Sequence, residues 1–173
     1  MEKTAIVLGA TGLTGRHLVE ELLKNRNYTK ITLFSRSKFG KEHPKLEERL
    51  IDVLKLEDYK EDFDAHDIFC CVGTTKAKTP DKSLYRKIDY GIPVTAAKLA
   101  EKNGAECFVV ISAMGADANS SIFYNRTKGE MEQDVMEKNI PNIYIFRPAL
   151  IVGDREEKRF FEKIATHAFK LFN

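Results

Sequence analysis

The chain predicts a doubly wound α/β fold, a mostly parallel sheet flanked by helices, and three observations predict it. Short apolar runs recur along the 173 residues, helical patterns lie between most of them, and a glycine turn joins the first run to the first helix. The runs fall at residues 5–8, 31–34, 50–53, 68–72, 107–111 and 143–146. Near-continuous apolarity, in place of in-out alternation, is what strands covered on both faces require.

The first run enters Gly9-Ala10-Thr11-Gly12-Leu13-Thr14-Gly15-Arg16, and a helix with Leu18, Leu22 and Leu23 on one face follows at once. Strand, glycine turn and helix in that order form a dinucleotide cradle. Gly9 permits the tight exit from the strand, Gly12 lets bare backbone approach a diphosphate, and Gly15 lets the helix sit close on the sheet. Backbone N–H groups around Thr11, Leu13 and Thr14, together with the helix dipole, then hold the phosphates. The spacing is Gly-x-x-Gly-x-x-Gly, so the weight of the motif comes from its place between strand and helix.

In such a fold an acid about twenty residues past the glycine loop marks a free ribose 2'-hydroxyl. Here that position falls at Ser35, followed by Arg36, with Lys38 close by. Guanidinium suits a 2'-phosphate through charge-assisted bonds, so NADP(H) is expected ahead of NAD(H). Arg16 is a second phosphate candidate. Asp52, beside Val53 at the end of the third run, reads either as an acceptor for the adenine amino group or as a surface turn acid. Gly73-Thr74-Thr75 leaves the fourth strand at the expected crevice, where small residues let the cofactor pass.

The fifth strand ends at Ser112, and twelve residues later come Tyr124 and, four further on, Lys128. Residues four apart share a helix face. A phenol has a reference pKa of about 10, so exchanging protons near neutrality calls for a lowered value, which a nearby ammonium supplies. Lys128 is that ammonium, Tyr124 the acid/base, and Ser112 the group that orients the substrate oxygen.

Other segments are read as follows. Residues 81–103 form mostly helix, with Gly91 and Pro93 producing a kink or a break into two helices. A further helix covers about 121–139, and lysine-rich loops fall at 37–44 and 76–82. Composition is that of a soluble globule, 43% hydrophobic and 31% charged, with a net charge of +2 and no clustered basic face. Neither nucleic acid nor a membrane is an expected partner. The start carries no basic leader, so a cytoplasmic location is expected. Cys70, Cys71 and Cys107 read as reduced packing residues, and no metal is assigned.

These residues together resemble a known family, the short-chain dehydrogenases/reductases in their atypical branch, and within it the Tat-interacting-protein-like NADPH-binding oxidoreductases. Carrying the resemblance are Gly9 to Arg16, Cys70-Cys71-Val72-Gly73-Thr74-Thr75, Ser112 with Gly115-Ala116-Asp117, Tyr124 and Lys128 with Gly129-Glu130, and Phe146-Arg147-Pro148. The resemblance implies a single NAD(P)-binding Rossmann domain over 1–173, with Ser112, Tyr124 and Lys128 as the catalytic set. It puts the glycine loop, Arg36 and Gly73 to Thr75 on NADP(H), and Pro148 and Leu150 near the nicotinamide. Lys128 also reaches the cofactor. Where the classical enzymes carry an Asn in their proton relay, this chain has Asp89.

The activity so implied is hydride transfer between a nicotinamide and a small carbonyl or alcohol. From another class comes the alternative, an NADPH-binding redox-sensing regulatory or scaffold protein that binds a protein partner without turnover. Members of the resembled family continue past Asn173, so a substrate-covering C-terminal part is expected to be missing. The end of the chain reads as an amphipathic helix with Phe160, Phe161, Ile164, Ala168 and Leu171 to one side. A homodimer through that face is one expectation; a terminal helix docked on a complete domain is the other.

Overall fold

The computed structural model describes residues 2–148. Its strands are β1 (Lys3–Leu8), β2 (Tyr28–Ser35), β3 (Leu46–Leu50), β4 (Asp67–Cys70), β5 (Cys107–Ile111) and β6 (Asn142–Phe146). They pair in the order β3-β2-β1-β4-β5-β6, all parallel, which is the doubly wound fold expected from the sequence. Helices α1 (Leu13–Lys24), α2 (Lys82–Arg86), α3 (Ile92–Lys102) and α4 (Phe123–Met136) flank the sheet, and a short 3-10 helix spans Val53–Tyr59.

The apolar runs are continuous because each central strand feeds two cores. Ala5, Val7, Leu33, Phe69 and Val109 face one side, where Leu18, Val19 and Leu22 of α1 cover them. Ile6, Leu8, Phe34, Ile68, Phe108 and Val110 face the other, under Ala96, Leu99, Met131 and Val135 of α3 and α4. Side chains alternate faces along a strand, so a strand buried on both sides has no polar positions to offer.

The third strand departs from expectation. It runs over Leu46–Leu50, and the apolar run at 50–53 is where the chain leaves the sheet. β3 is an edge strand, bonded to β2 alone and only partly buried. Its solvent side accepts Glu47 and Arg49, so hydrophobicity does not mark it.

The helix expected over 81–103 is one continuous path with a π-turn, Lys87–Gly91, between α2 and α3. Asp81 caps its start by accepting from the Leu84 N–H at 2.6 Å. Pro93, in the first turn of α3, lacks the N–H that would bond the carbonyl of Asp89. The wider turn absorbs that missing bond, and it holds Asp89 fully buried.

Candidate functional site

In this strand order β1 and β4 are neighbours whose connections leave in opposite directions, which opens a crevice beyond their carboxyl ends. The Cys71 N–H donates to the Leu8 carbonyl at 2.9 Å, so the two exit loops touch there. Gly9 has φ of +79°, and a Cβ on it would stand 2.8 Å from the Cys71 backbone. Gly15 presses α1 onto the same turn: a Cβ there would lie 2.2 Å from the Gly9 carbonyl oxygen. Only bare backbone fits at both positions.

Gly12 is the N-cap residue of α1, and no side chain caps the helix. The first N–H groups of a helix have no partner within it, so those of Leu13, Thr14 and Gly15 are placed for an anion. The cleft in front of them has a volume of about 570 Å³ and is lined by Gly9, Thr11, Gly12, Ser35, Arg36, Val53, Gly73 and Thr74, among others. Glycine turn, uncapped helix and cleft together fit a dinucleotide, with Arg36 at the end where the second ribose would lie.

The remaining candidates sort by what they touch. The Ser35 hydroxyl donates to the Ser37 carbonyl at 2.7 Å, shaping the turn that carries Arg36. Arg16 lies over the Phe39 ring, 4.8 Å from its centroid, and donates to the Phe39 carbonyl, so it packs α1 against the β2–β3 loop. Asp52 caps the 3-10 helix by accepting from the Leu54 N–H at 3.1 Å, and it is exposed. Of the two readings of Asp52, the turn acid matches this placement. Thr75 accepts from the N–H groups of Lys78 and Thr79, folding the loop over 75–79 into a turn. That turn brings Lys78 and Thr79 to the cleft wall. Their segment carries no apolar pattern, so the sequence marks it only as a loop.

Ser112 and Lys128 are each 3% exposed and Asp89 is 0% exposed. The Ser112 Oγ has no hydrogen-bond partner among the described residues. Lys128 Nζ lies 3.0 Å from Asp89 Oδ1 and donates to the Ile111 carbonyl at 3.4 Å, next to Ser112. The Pro148 carbonyl accepts from the Met114 N–H at 3.2 Å, which sets β6's exit beside the turn after Ser112. Leu150 and the apolar helix face expected at 160–172 lie outside the described residues.

Tyr124 is exposed, its ring edge-on to Tyr85 with centroids 6.4 Å apart. Burial pushes its phenol above the usual value, and the Asp89 charge pushes it further the same way. This is opposite to the lowering expected from Lys128, and burial is the larger of the two causes. Cys70, buried beneath, has its thiol pushed up to about 11 by burial. Among the described residues no group of His, Cys, Asp and Glu is placed to hold a metal ion, and no helix is long and apolar enough to cross a membrane.

Known proteins share this architecture. The solved structure of the Bordetella bronchiseptica enzyme WbmG in complex with NAD superposes with a TM-score of 0.73 at 16% identity, over 90% of this chain and 56% of that one. WbmH of the same organism, in complex with NAD+, gives 0.75 at 18% identity, over 90% and 58%. This chain thus spans just over half the length of those structures, and the likeness is one of fold. The rat protein HTATIP2 is 35% identical over 171 residues, covering 96% of this chain and 70% of the relative. Protein FMP52-1, mitochondrial, of Scheffersomyces stipitis is 34% identical over 161 residues, covering 90% and 70%.

The expected cytoplasmic location is corrected by those relatives, since the FMP52 proteins of S. stipitis and of Candida albicans are both named mitochondrial. Composition carries no information on the compartment of a folded domain. A family described as NAD(P)H-binding matches residues 9–163, from the first glycine of the turn to beyond β6. By that match and by its identity to HTATIP2, the chain belongs to the NAD(P)H-binding family, with the fold of the short-chain dehydrogenase/reductase superfamily.

Proposed function

We propose that the protein is an NADP(H)-dependent oxidoreductase that moves a hydride between the nicotinamide and a carbonyl or alcohol substrate. The observation that carries this reading is the buried Ser112 hydroxyl, which has no hydrogen-bond partner among the described residues, beside an equally buried Lys128. Buried polar atoms are almost always bonded, and one left unpaired is open to a ligand atom. The bound nicotinamide would supply the hydride. Gly9, Gly12 and the start of α1 hold the diphosphate, and Arg36 takes the 2'-phosphate that distinguishes NADP(H) from NAD(H).

Ser112 donates to the substrate oxygen and orients it. Tyr124, protonated at neutral pH because its phenol is pushed up, gives its proton to that oxygen as charge develops there. Lys128 provides positive charge behind the phenol and a hydrogen-bond donor for the nicotinamide ribose. The decisive experiment follows NADPH absorbance against a panel of aldehydes and ketones, wild type beside Tyr124→Phe. Turnover in the wild type that is lost in the variant supports the reading.

The raised phenol also favours, as a second reading, an NADPH-binding regulatory protein without turnover. Tight NADPH binding with no oxidation of the cofactor across the panel would select it.

A further inference from the structure

Among the described residues, Arg36 and Lys78 are the cations that line the cofactor cleft, and no carboxylate lines it. They enter from opposite sides. In the order β3-β2-β1-β4 the glycine turn after β1 lies between the turn after β2, which carries Arg36, and the loop after β4, which carries Lys78. Both residues are exposed, and the Lys78 ammonium has no ion pair, hydrogen bond or ring contact among the described residues.

The backbone that carries Lys78 is anchored. Its N–H and that of Thr79 donate to the Thr75 carbonyl at 3.0 and 2.9 Å, closing one helical turn over 75–79. Thr79 is buried, and its Oγ1 lies 2.8 Å from Thr74 Oγ1. Thr74 is held in turn by its N–H, which donates to Asp89 Oδ2 at 2.8 Å, and by its carbonyl, which accepts from the Tyr85 hydroxyl at 3.2 Å. A cation on such a turn gives up less freedom on meeting an anion than one on a loose loop.

The start of α1 supplies roughly half an elementary charge, less than a diphosphate carries. Cations of the neighbouring helices are engaged elsewhere: Arg16 of α1 with Phe39, Lys128 of α4 with Asp89, and Arg86 of α2 with Glu130. Arg36 stands on the β2 side, where the ribose 2'-phosphate of NADP(H) is read. We propose that Lys78 is the cation that meets the cofactor's diphosphate, from the β4 side of the glycine turn. Lys78 then answers the charge common to NADPH and NADH, and Arg36 the charge that tells them apart. The proposal rests on the reading of the cleft as an NAD(P)H site and adds to it a residue that lies outside the glycine motif.

The test is titration calorimetry of the whole chain with NADPH, NADH and ADP, the last keeping the diphosphate without the nicotinamide half. Lys78→Met is expected to weaken all three about tenfold, the lower end for a charge-assisted bond because the lysine faces solvent. Lys78→Arg, which keeps the charge, should stay close to the wild type. Lys76→Met, which removes an exposed lysine of the same turn that is outside the cleft lining, should leave all three unchanged. Added salt should weaken binding more steeply in the wild type than in Lys78→Met. Unchanged affinity in Lys78→Met overturns the proposal. So does a loss confined to NADPH, which puts Lys78 on the 2'-phosphate, or a loss that spares ADP, which puts it on the nicotinamide half. An equal loss in Lys76→Met overturns it as well, since the effect is then one of surface charge in general. A wild type that binds none of the three removes the cofactor reading itself, whereas binding that ignores Lys78 leaves that reading standing and removes this one.

Discussion

Gly15 on α1 and Gly9 at the end of β1 approach so closely that a Cβ on Gly15 would lie 2.2 Å from the Gly9 carbonyl oxygen. That oxygen also accepts from the Gly12 N–H at 3.0 Å, so one atom holds both the helix position and the shape of the turn. The cradle is consequently sensitive to the smallest side chain at its third glycine.

Gly15→Ala is expected to push α1 off the sheet, at a cost of about 1–3 kcal/mol for an overpacked contact. Urea unfolding would show the lowered midpoint, and calorimetry should show NADPH binding weakened beyond the loss in stability. A variant with wild-type stability and affinity would mean that α1 sits more loosely than this contact requires.

Arg36→Ala tests the choice of cofactor. A charge-assisted bond contributes about 1.5–3 kcal/mol, so NADPH affinity should fall roughly tenfold to hundredfold while NADH affinity barely changes. Titration calorimetry with both cofactors measures this directly. Equal affinity for NADPH and NADH in the wild type would remove Arg36 from the site.

The glycine turn and the central strands were legible in the sequence for one reason, that local pattern and tertiary demand coincide there. Gly9 and Gly15 stand where only bare backbone fits, and the runs over β1, β4 and β5 are apolar because both faces are covered. β3 was misplaced since an edge strand makes no such demand. Asp52 sat in the expected interval but spends its carboxylate on the Leu54 N–H, a capping role that spacing alone does not separate from ligand binding. The pairing of Asp89 with Lys128 joins residues 39 apart in sequence and depends on a π-turn, which no local periodicity announces. The raised phenol of Tyr124 follows from burial first and from the Asp89 charge second, and spacing shows neither.

At the amino ends of the central strands, Asp67 is fully buried, accepts from the Tyr28 hydroxyl at 2.5 Å and pairs with Lys3 at 3.2 Å. Tyr28→Phe should cost about 1–3 kcal/mol, the penalty for leaving a buried acceptor one bond short. Burial lowers the Lys3 ammonium, yet the Asp67 charge and its hydrogen bonds outweigh burial and hold it above 10.5. A group raised on folding stabilises below its unfolded value and loses that contribution as pH rises through the folded one. Thermal unfolding should therefore show stability falling above pH 10.5 in the wild type and a shallower fall in Lys3→Met.

Tyr124→Phe should spare NADPH binding and lower turnover roughly 10²–10⁴-fold, the range for a positioned proton donor. The pH profile separates this role from simple packing. Burial and the Asp89 charge hold the phenol above 10, so it is protonated throughout the neutral range. Carbonyl reduction, which needs the protonated form, should be level across neutrality and decline only as pH passes the raised value. Alcohol oxidation needs the phenolate and should climb over the same interval. In Tyr124→Phe both limbs should vanish from the residual activity. Steady-state rates in the two directions, measured from neutral to alkaline pH, would assign the proton elsewhere if reduction fell already near neutrality.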